Sequence, residues 1–300
     1  TSLGDAIDSY LGVSIADYGA TVGQPIIRGM SGPRVKILKN GMVNRDVSGL
    51  GVDHLNDIDL NDFQQIEIVK GPSSLLYANG TTGGIINVVD NAIATMDIEE
   101  PLINVGLESQ SVNSGDTHNI NAKSNINGLN LTFGYKNSEF GNYDVPNGAV
   151  IHEEEEEDEE EEENLGYINN SDLQVESSKF GLSKTGDWGY LGFSVDNLES
   201  VYGIPFHGEE HEPEGEGEAE PHGEERIFST TDSESFSIKG SYNINGSLIN
   251  SITYNFRDSD YSLTEGHEEE HDEDEPHDPD EEEHEPTVFM NDAIEYGAIF

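Results

Sequence analysis

Beyond about residue 101, apolar and polar side chains alternate along the chain in short runs. Between residues 129 and 136, Leu129, Leu131, Phe133 and Tyr135 alternate with Asn, Thr, Gly and Lys. The same alternation recurs over residues 191–196, 236–243 and 252–257. A period of two predicts β-strands with one aromatic, apolar face and one polar face, which is typical of strands with lipid on one side and water on the other.

These runs predict eight antiparallel strands whose connections alternate in length. The connections after the second, fourth and sixth strands are tight turns, whereas those after the third, fifth and seventh are long. Because successive antiparallel strands reverse direction, all the long connections must emerge at one end of the sheet. Short turns at one end and long loops at the other are the layout of an outer-membrane barrel. The predicted strands cover residues 102–111, 116–126, 129–139, 172–184, 188–200, 231–245, 248–262 and 288–300.

A secreted β-sandwich with acidic inserts is the main alternative to the barrel. It explains the alternation, but it predicts no regularity in the lengths of the connections. No run in the sequence approaches the ~20 apolar residues of a membrane-spanning helix, whereas a barrel strand needs only about 9–11 alternating residues. Eight strands enclose too little space for a further domain, so we expect residues 99–300 to be the N-terminal part of a larger transmembrane barrel.

Residues 1–98 have a different pattern, which predicts a compact α+β domain. Ser2 is placed to cap a helix whose apolar positions run from Leu3 to Leu11 at helical spacing. Short β-like runs follow at residues 25–28, 34–39, 65–69 and 84–89, and Pro72 suits the start of a small helix over residues 73–78. The expected fold class is therefore an α+β domain followed by antiparallel transmembrane β-barrel strands.

The long connections, near residues 141–171, 201–229 and 263–287, carry most of the charge. Each contains an acidic tract, and the three tracts (152–163, 207–225 and 267–285) hold just over half of the 62 acidic residues and no Lys or Arg. They also hold 8 of the 10 histidines. Outside the tracts the protein is only moderately acidic. The tract histidines are His152, His207, His211, His222, His267, His271, His277 and His284.

Carboxylates together with imidazoles form a ligand set for borderline divalent metals. Oxygen-only tracts would suit calcium, but histidine shifts the expectation to zinc, with nickel, cobalt, copper and calcium as alternatives. The competing interpretation is a solvated charge run that only keeps the surface soluble. The net charge of −49 disfavours nucleic acid as a partner. The absence of cysteine excludes thiolate sites, and no nucleophile elbow, zinc-protease helix or phosphate loop indicates an enzyme or a bound cofactor.

Four segments of the first domain resemble the plug of TonB-dependent outer-membrane receptors. They are residues 24–30 (QPIIRGM), 34–41 (RVKILKNG), 66–77 (IEIVKGPSSLLY) and 83–89 (GGIINVV). The resemblance implies a plug domain over residues 1–98 inside a 22-stranded barrel, located in the outer membrane of a Gram-negative bacterium. It also implies that outer-membrane lipid and the TonB–ExbB–ExbD complex of the inner membrane are partners. The TonB box of that family does not precede Thr1 in this sequence.

Among such receptors the chain is most similar to the zinc-uptake group. The similarity lies in the segment Arg28-Gly29-Met30, in Asp53-His54 of the following loop, and in the histidine-rich acidic tracts. It implies that Asp53 and His54 face the outer vestibule and help to hold the ion, although Val52 stands where a proline is usual. Two adjacent residues cannot form a tetrahedral site alone, so further ligands must come from the barrel. The alternative for this pair is an ordinary polar loop.

Three functions remain open at this point. The first is uptake of a divalent metal ion, with zinc foremost, through an outer-membrane receptor that captures the cation with its tracts. The second is a receptor for a metallophore or another organic chelate, in which the acidic loops are incidental. The third, from a different class, is a secreted cation-buffering protein.

Overall fold

A computed structural model of the protein describes residues 2–18, 22–49, 54–147, 149, 166–205, 226–244, 246, 249–268 and 286–300. Within these residues the chain forms a small α+β domain, called the plug below, and one large antiparallel sheet, called the wall. No helix among them is long and apolar enough to cross a lipid bilayer.

The plug begins with α1 (Leu3–Ile7), which is capped as its sequence predicts. The Ser2 side chain accepts from the Asp5 N–H, and the Asp5 carboxylate accepts from the Ser2 N–H, forming a capping box. The helix is shorter than predicted: it ends before Tyr10 and Leu11, which are 57% and 93% exposed. The pattern was misleading here because those two apolar residues have no core to face.

Six strands and two 3₁₀ turns make up the rest of the plug. The hairpin β1–β2 packs on α1, and the sheet order β4-β3-β6-β5 contains one parallel pair, β3 with β6. The core contains Leu3, Ile7, Ile27 and Ile86. The strands are β1 Val13–Tyr18, β2 Val22–Ile27, β3 Val35–Lys39, β4 Met42–Val43, β5 Phe63–Lys70 and β6 Gly84–Asp90, and the 3₁₀ turns are Gly32–Arg34 and Pro72–Leu76. The predicted helix over residues 73–78 is thus a single 3₁₀ turn.

The wall is a nine-stranded sheet in the order β16-β15-β14-β13-β12-β9-β8-β7, with β17 also paired to β15. Seven predicted strands are confirmed, and the eighth is divided at Asn291-Asp292 into two strands on the same neighbour. A short pair, β10–β11, stands beside the sheet. The strands are β7 Leu102–Gln110, β8 Gly115–Ile126, β9 Leu129–Phe140, β10 Tyr143–Asp144, β11 Tyr167–Ile168, β12 Leu173–Gly186, β13 Gly189–Gly203, β14 Arg226–Asn243, β15 Ser251–Glu268, β16 Thr287–Met290 and β17 Ala293–Ile299.

The strand ends that flank the three tracts all lie at the same end of the wall, where the strands terminate. Phe140 pairs with Leu173, Gly203 with Phe228, and Glu265 with Thr287. The tight turns lie at the opposite end of the strands. There Asn127 and Gly128 adopt φ of 54° and 80°, the positive values that a two-residue hairpin turn requires. The predicted regularity of the connections is therefore confirmed for the strand ends, although most of each tract lies outside the described residues.

The two faces of the wall differ as the alternation predicts. Phe180, Phe193 and Phe236 lie on the outward face and are 39–44% exposed, with the last two rings 6.4 Å apart. On the inward face, small polar residues such as Ser177 and Ser200 are buried. The inward face is polar because it packs against the polar loops of the plug.

Ion pairs attach the plug to the inward face of the wall. Lys39 Nζ lies 2.8 Å from Asp196 Oδ1. Glu295 bridges two arginines: Arg45 Nη2 and Arg257 Nη2 each lie 2.6 Å from one of its carboxylate oxygens. These contacts hold Lys39 and Arg45 of the plug against strands β13, β15 and β17, and the candidate site also lies at this contact between plug and wall.

Candidate functional site

Most of the predicted metal-binding residues lie outside the described part of the chain. His267 lies within β15, but its side chain is not described. His54 is the one predicted ligand with a described side chain. The other eight residues are Asp53, His152, His207, His211, His222, His271, His277 and His284, so the metal-binding role predicted for them is untested.

His54 lies at the contact between the plug and the wall. Its imidazole is buried, with the residue only 7% exposed, whereas the family resemblance implies an open vestibule position. Nδ1 lies 3.3 Å from Glu265 Oε1 on β15, and the Phe289 ring meets the imidazole edge-on with centroids 6.2 Å apart. Among the described residues neither Nδ1 nor Oε1 has a hydrogen-bond partner, so two buried polar atoms face each other without a hydrogen bond.

The backbone around His54 is held by side chains from both domains. Gln24 Nε2 donates to the His54 carbonyl at 2.7 Å and to the Ser48 carbonyl at 3.0 Å. On the other side, the Leu55 N–H donates to the Tyr202 hydroxyl of β13 at 3.4 Å. Leu55 also packs in a cluster with Val22 of the plug and Tyr202 of the wall. The position of His54 therefore depends on contacts across the interface.

Glu265 was not predicted from the sequence. It shares the inward face of β15 with Tyr261 and Leu263, which are 2% and 1% exposed, because alternate residues of a strand face the same side. An acidic residue two positions after buried Leu263 is the only signal that could have marked it. That signal is weak, since the whole inward face is rich in polar residues.

A second group missed by the sequence prediction is the pair of buried Asp57 and half-buried Asp46. The Tyr261 hydroxyl donates to Asp57 Oδ2 at 2.8 Å, and the Asp57 N–H donates to Asp46 Oδ2 at 3.2 Å. Burial, together with the neighbouring charge of Asp46, raises the pKa of Asp57 to about 8. This shift favours the protonated form of Asp57.

His54 and Glu265 supply two ligands of the kind that zinc and similar ions prefer, one imidazole nitrogen and one carboxylate oxygen. Two ligands do not complete a tetrahedral site. Within the described ranges, no cluster of three or more His, Cys, Asp or Glu side chains could hold a metal ion. Asp53, adjacent to His54 in sequence, lies outside the described residues, so its role as a further ligand stays a prediction.

Comparison with known proteins identifies the first domain. Residues 1–85 match the TonB-dependent Receptor Plug Domain family. The vitamin B12 transporter BtuB of Vibrio vulnificus (strain CMCP6) is 24% identical over 141 residues, which cover 46% of this chain and 22% of that protein. The heme/hemopexin utilization protein C of Haemophilus influenzae (strain ATCC 51907 / DSM 11121 / KW20 / Rd) is 34% identical over 88 residues, 29% of this chain and 12% of that protein.

Solved structures with the same fold extend the comparison into the wall. The copper transporter OprC superposes with a TM-score of 0.65 at 15% identity, covering 87% of this chain and 36% of that one. The FrpB iron transporter from Neisseria meningitidis gives 0.66 at 11% identity, covering 88% and 39%. The chain thus spans well under half of the length of these proteins. At such low sequence identities, the similarity shows only that the fold is shared.

The wall strands align with barrels of this kind, and the plug residues match the family model. The predicted fold class is confirmed, while a barrel of 22 strands stays a prediction. Residues 1–85 form a TonB-dependent receptor plug domain, and together with the barrel strands that follow, they give the chain the fold of a TonB-dependent receptor of the Gram-negative outer membrane.

Proposed function

We propose that the protein is a TonB-dependent receptor that takes up a divalent metal ion, and that this ion is zinc. The observation that carries the proposal is the pairing of His54 Nδ1 with Glu265 Oε1 at 3.3 Å, both buried and without hydrogen-bond partners among the described residues. Leaving two buried polar atoms unpaired costs stability, and a cation between them would satisfy both. Imidazole with carboxylate favours zinc over calcium.

The three tracts supply the first step of this function. The strands that flank the tracts terminate at one end of the wall, and Glu265 lies near that same end. A dense negative field there raises the local concentration of cations, and eight histidines add ligands that bind transition metals at neutral pH. Ions gathered at this end of the strands then reach His54 and Glu265 at the contact between plug and wall.

In the proposed function the protein transports the zinc ion and catalyses no chemical reaction. Movement of the plug admits the bound ion, and the TonB–ExbB–ExbD complex of the inner membrane supplies the energy for that movement. A closed barrel around the plug, with outer-membrane lipid outside, satisfies every backbone group in the hydrocarbon layer.

Competition uptake tests the proposed substrate. Cells that express the full-length receptor should accumulate radioactive zinc at low external zinc. Excess unlabelled zinc should abolish this accumulation, copper and nickel should reduce it, and calcium should not affect it. If only a metal-loaded organic chelator competes, the substrate is a metallophore and the proposal is wrong. Accumulation that persists without TonB would contradict the transport mechanism.

The tract histidines can be tested separately, without changing the charge of the tracts. Replacing all eight with glutamine should reduce zinc uptake severalfold at limiting zinc and leave it unchanged at saturating zinc, because capture limits the rate only when the ion is scarce. His118→Gln, at an exposed position of β8, is the matched control. Equal uptake by the eight-histidine variant and the wild type at limiting zinc would remove the tract histidines from the mechanism and leave only the charge of the tracts to capture the ion.

A further inference from the structure

The plug segment 54–57 carries two side chains that both reach strand β15. His54 faces Glu265, and three residues later Asp57 accepts a hydrogen bond from Tyr261. Glu265 and Tyr261 are four residues apart on one face of the strand. At about 3.3 Å per residue, the two contacts are separated by roughly 13 Å along β15 and at most about 10 Å along the plug segment. The segment is therefore attached to the same strand at both ends.

Of the two contacts, the one at Asp57 is held by more hydrogen bonds. Tyr261 is 2% exposed and packs with Val47 of the plug and Leu263 of the wall. Its hydroxyl lies 2.8 Å from Asp57 Oδ2. Within the plug, the Asp57 N–H donates to Asp46 Oδ2 and the Asp57 carbonyl accepts from Asn44 Nδ2 at 3.0 Å. The residue is thus fixed by its backbone on the plug side and by its side chain on the wall side.

The His54 contact, in contrast, has no hydrogen bond between the facing side chains. His54 Nδ1 and Glu265 Oε1 lie 3.3 Å apart but form no hydrogen bond, so this contact is held less firmly than the Asp57 contact. The Asp57–Tyr261 bond, three residues away, is the nearest side-chain hydrogen bond between this segment and the strand that carries Glu265. If it is lost, the 3.4 Å bond from the Leu55 N–H to the Tyr202 hydroxyl of β13 is the one remaining hydrogen bond between this segment and the wall among the described residues. A displacement of about 1 Å along β15 is sufficient to spoil ligand geometry at a metal site.

We propose that Tyr261 and Asp57 are positioning residues for the metal site: their hydrogen bond sets the register between the plug segment and β15 and so holds His54 opposite Glu265. This inference rests on the proposed function, because it assigns to the pair the task of preparing the two ligands for zinc. Neither residue touches the ion. The plug is thereby joined to the wall at the site itself, so that moving the segment away from β15 separates the ligands and releases the cargo.

Four variants of the full-length receptor test the assignment through zinc affinity, measured in detergent by competition with a chromophoric chelator. Tyr261→Phe and Asp57→Leu should each bind zinc about tenfold more weakly, since a lost hydrogen bond of ~1.4 kcal/mol corresponds to that factor. Asp57→Asn keeps an acceptor for the Tyr261 hydroxyl and should bind like the wild type. Tyr254→Phe, which removes a hydroxyl from the other face of β15, is the matched control.

A spectroscopic measurement distinguishes positioning from a general loss of stability. At saturating zinc, the X-ray absorption spectrum of Tyr261→Phe should show less imidazole scattering than that of the wild type, because His54 no longer reaches the ion. In a His54→Ala background, Tyr261→Phe should cause no further loss of affinity. If Tyr261→Phe and Asp57→Leu bind zinc like the wild type, or if their losses add fully to that of His54→Ala, the positioning role is wrong. If His54→Ala itself leaves affinity unchanged, the proposed site fails instead.

Discussion

His54→Ala is expected to weaken zinc binding by at least about 100-fold, since replacing even the outer-shell partners of a metal ligand commonly costs 10–100-fold. The imidazole is buried against Glu265 and Phe289, so water cannot easily take its place with the same geometry. Isothermal titration of the purified full-length receptor with zinc measures the change. Glu265→Gln should cause a loss of similar size, because an amide is a poor zinc ligand.

Two controls accompany the His54 experiment. His118→Ala removes an exposed imidazole on β8 and should leave zinc affinity unchanged. The heat-dependent mobility of the folded barrel in detergent gels should be the same for all three variants, which shows that the loss is local. Wild-type affinity in both His54→Ala and Glu265→Gln would exclude the pair as the site of binding.

Glu295→Ala is expected to destabilise the folded protein by about 3 kcal/mol, the lower end of the range for breaking a buried ion pair by removing one partner, because the Arg45 side chain is 38% exposed. Glu295 accepts from both Arg45 and Arg257 at 2.6 Å. The Arg257 side chain is only 6% exposed, so its charge would be left buried without a carboxylate. The urea concentration at the midpoint of unfolding, measured in lipid vesicles, should fall accordingly.

A triple variant distinguishes the effect of the unpaired arginine charges from the effect of losing the packing of the Glu295 side chain. Combining Glu295→Ala with Arg45→Met and Arg257→Met removes the unpaired charges and should restore much of the stability. Glu108→Ala, at an exposed position on β7, should have almost no effect. If the triple variant is as unstable as Glu295→Ala, the unpaired arginines are not the reason for the destabilisation.

The wall was predictable because every strand repeats one simple pattern. The alternation around Phe133, Phe193 and Phe236 follows directly from having two different environments on the two faces, and it determined seven strands to within a few residues, except at the outer ends of β14 and β15. The eighth strand was predicted as continuous, because a break at Asn291-Asp292 depends on the Asn291 N–H finding the Tyr261 carbonyl at 2.9 Å. That contact is between distant parts of the chain and leaves no local signal.

The candidate site was predictable only on the plug side. His54 was singled out because Asp53-His54 resembles the plug loop of the zinc-uptake group, but nothing in the sequence marked Glu265, Tyr261 or Asp57 as site residues. Their importance depends on the plug lying against β15, a contact between residues about 200 apart in sequence. The burial that raises the pKa of Asp57 to about 8 arises from the same contact, so no property of the neighbouring sequence could have indicated it.

The strand order also determines how close together the acidic tracts are anchored. Their roots lie on six successive strands, β9, β12, β13, β14, β15 and β16, and at about 4.8 Å per strand they share an arc of roughly 24 Å on the rim. This arc is about three Debye lengths at physiological salt, so the ionic atmospheres of neighbouring anchors overlap. The three tracts should consequently act as one polyanion whose hold on cations weakens steeply as ionic strength rises.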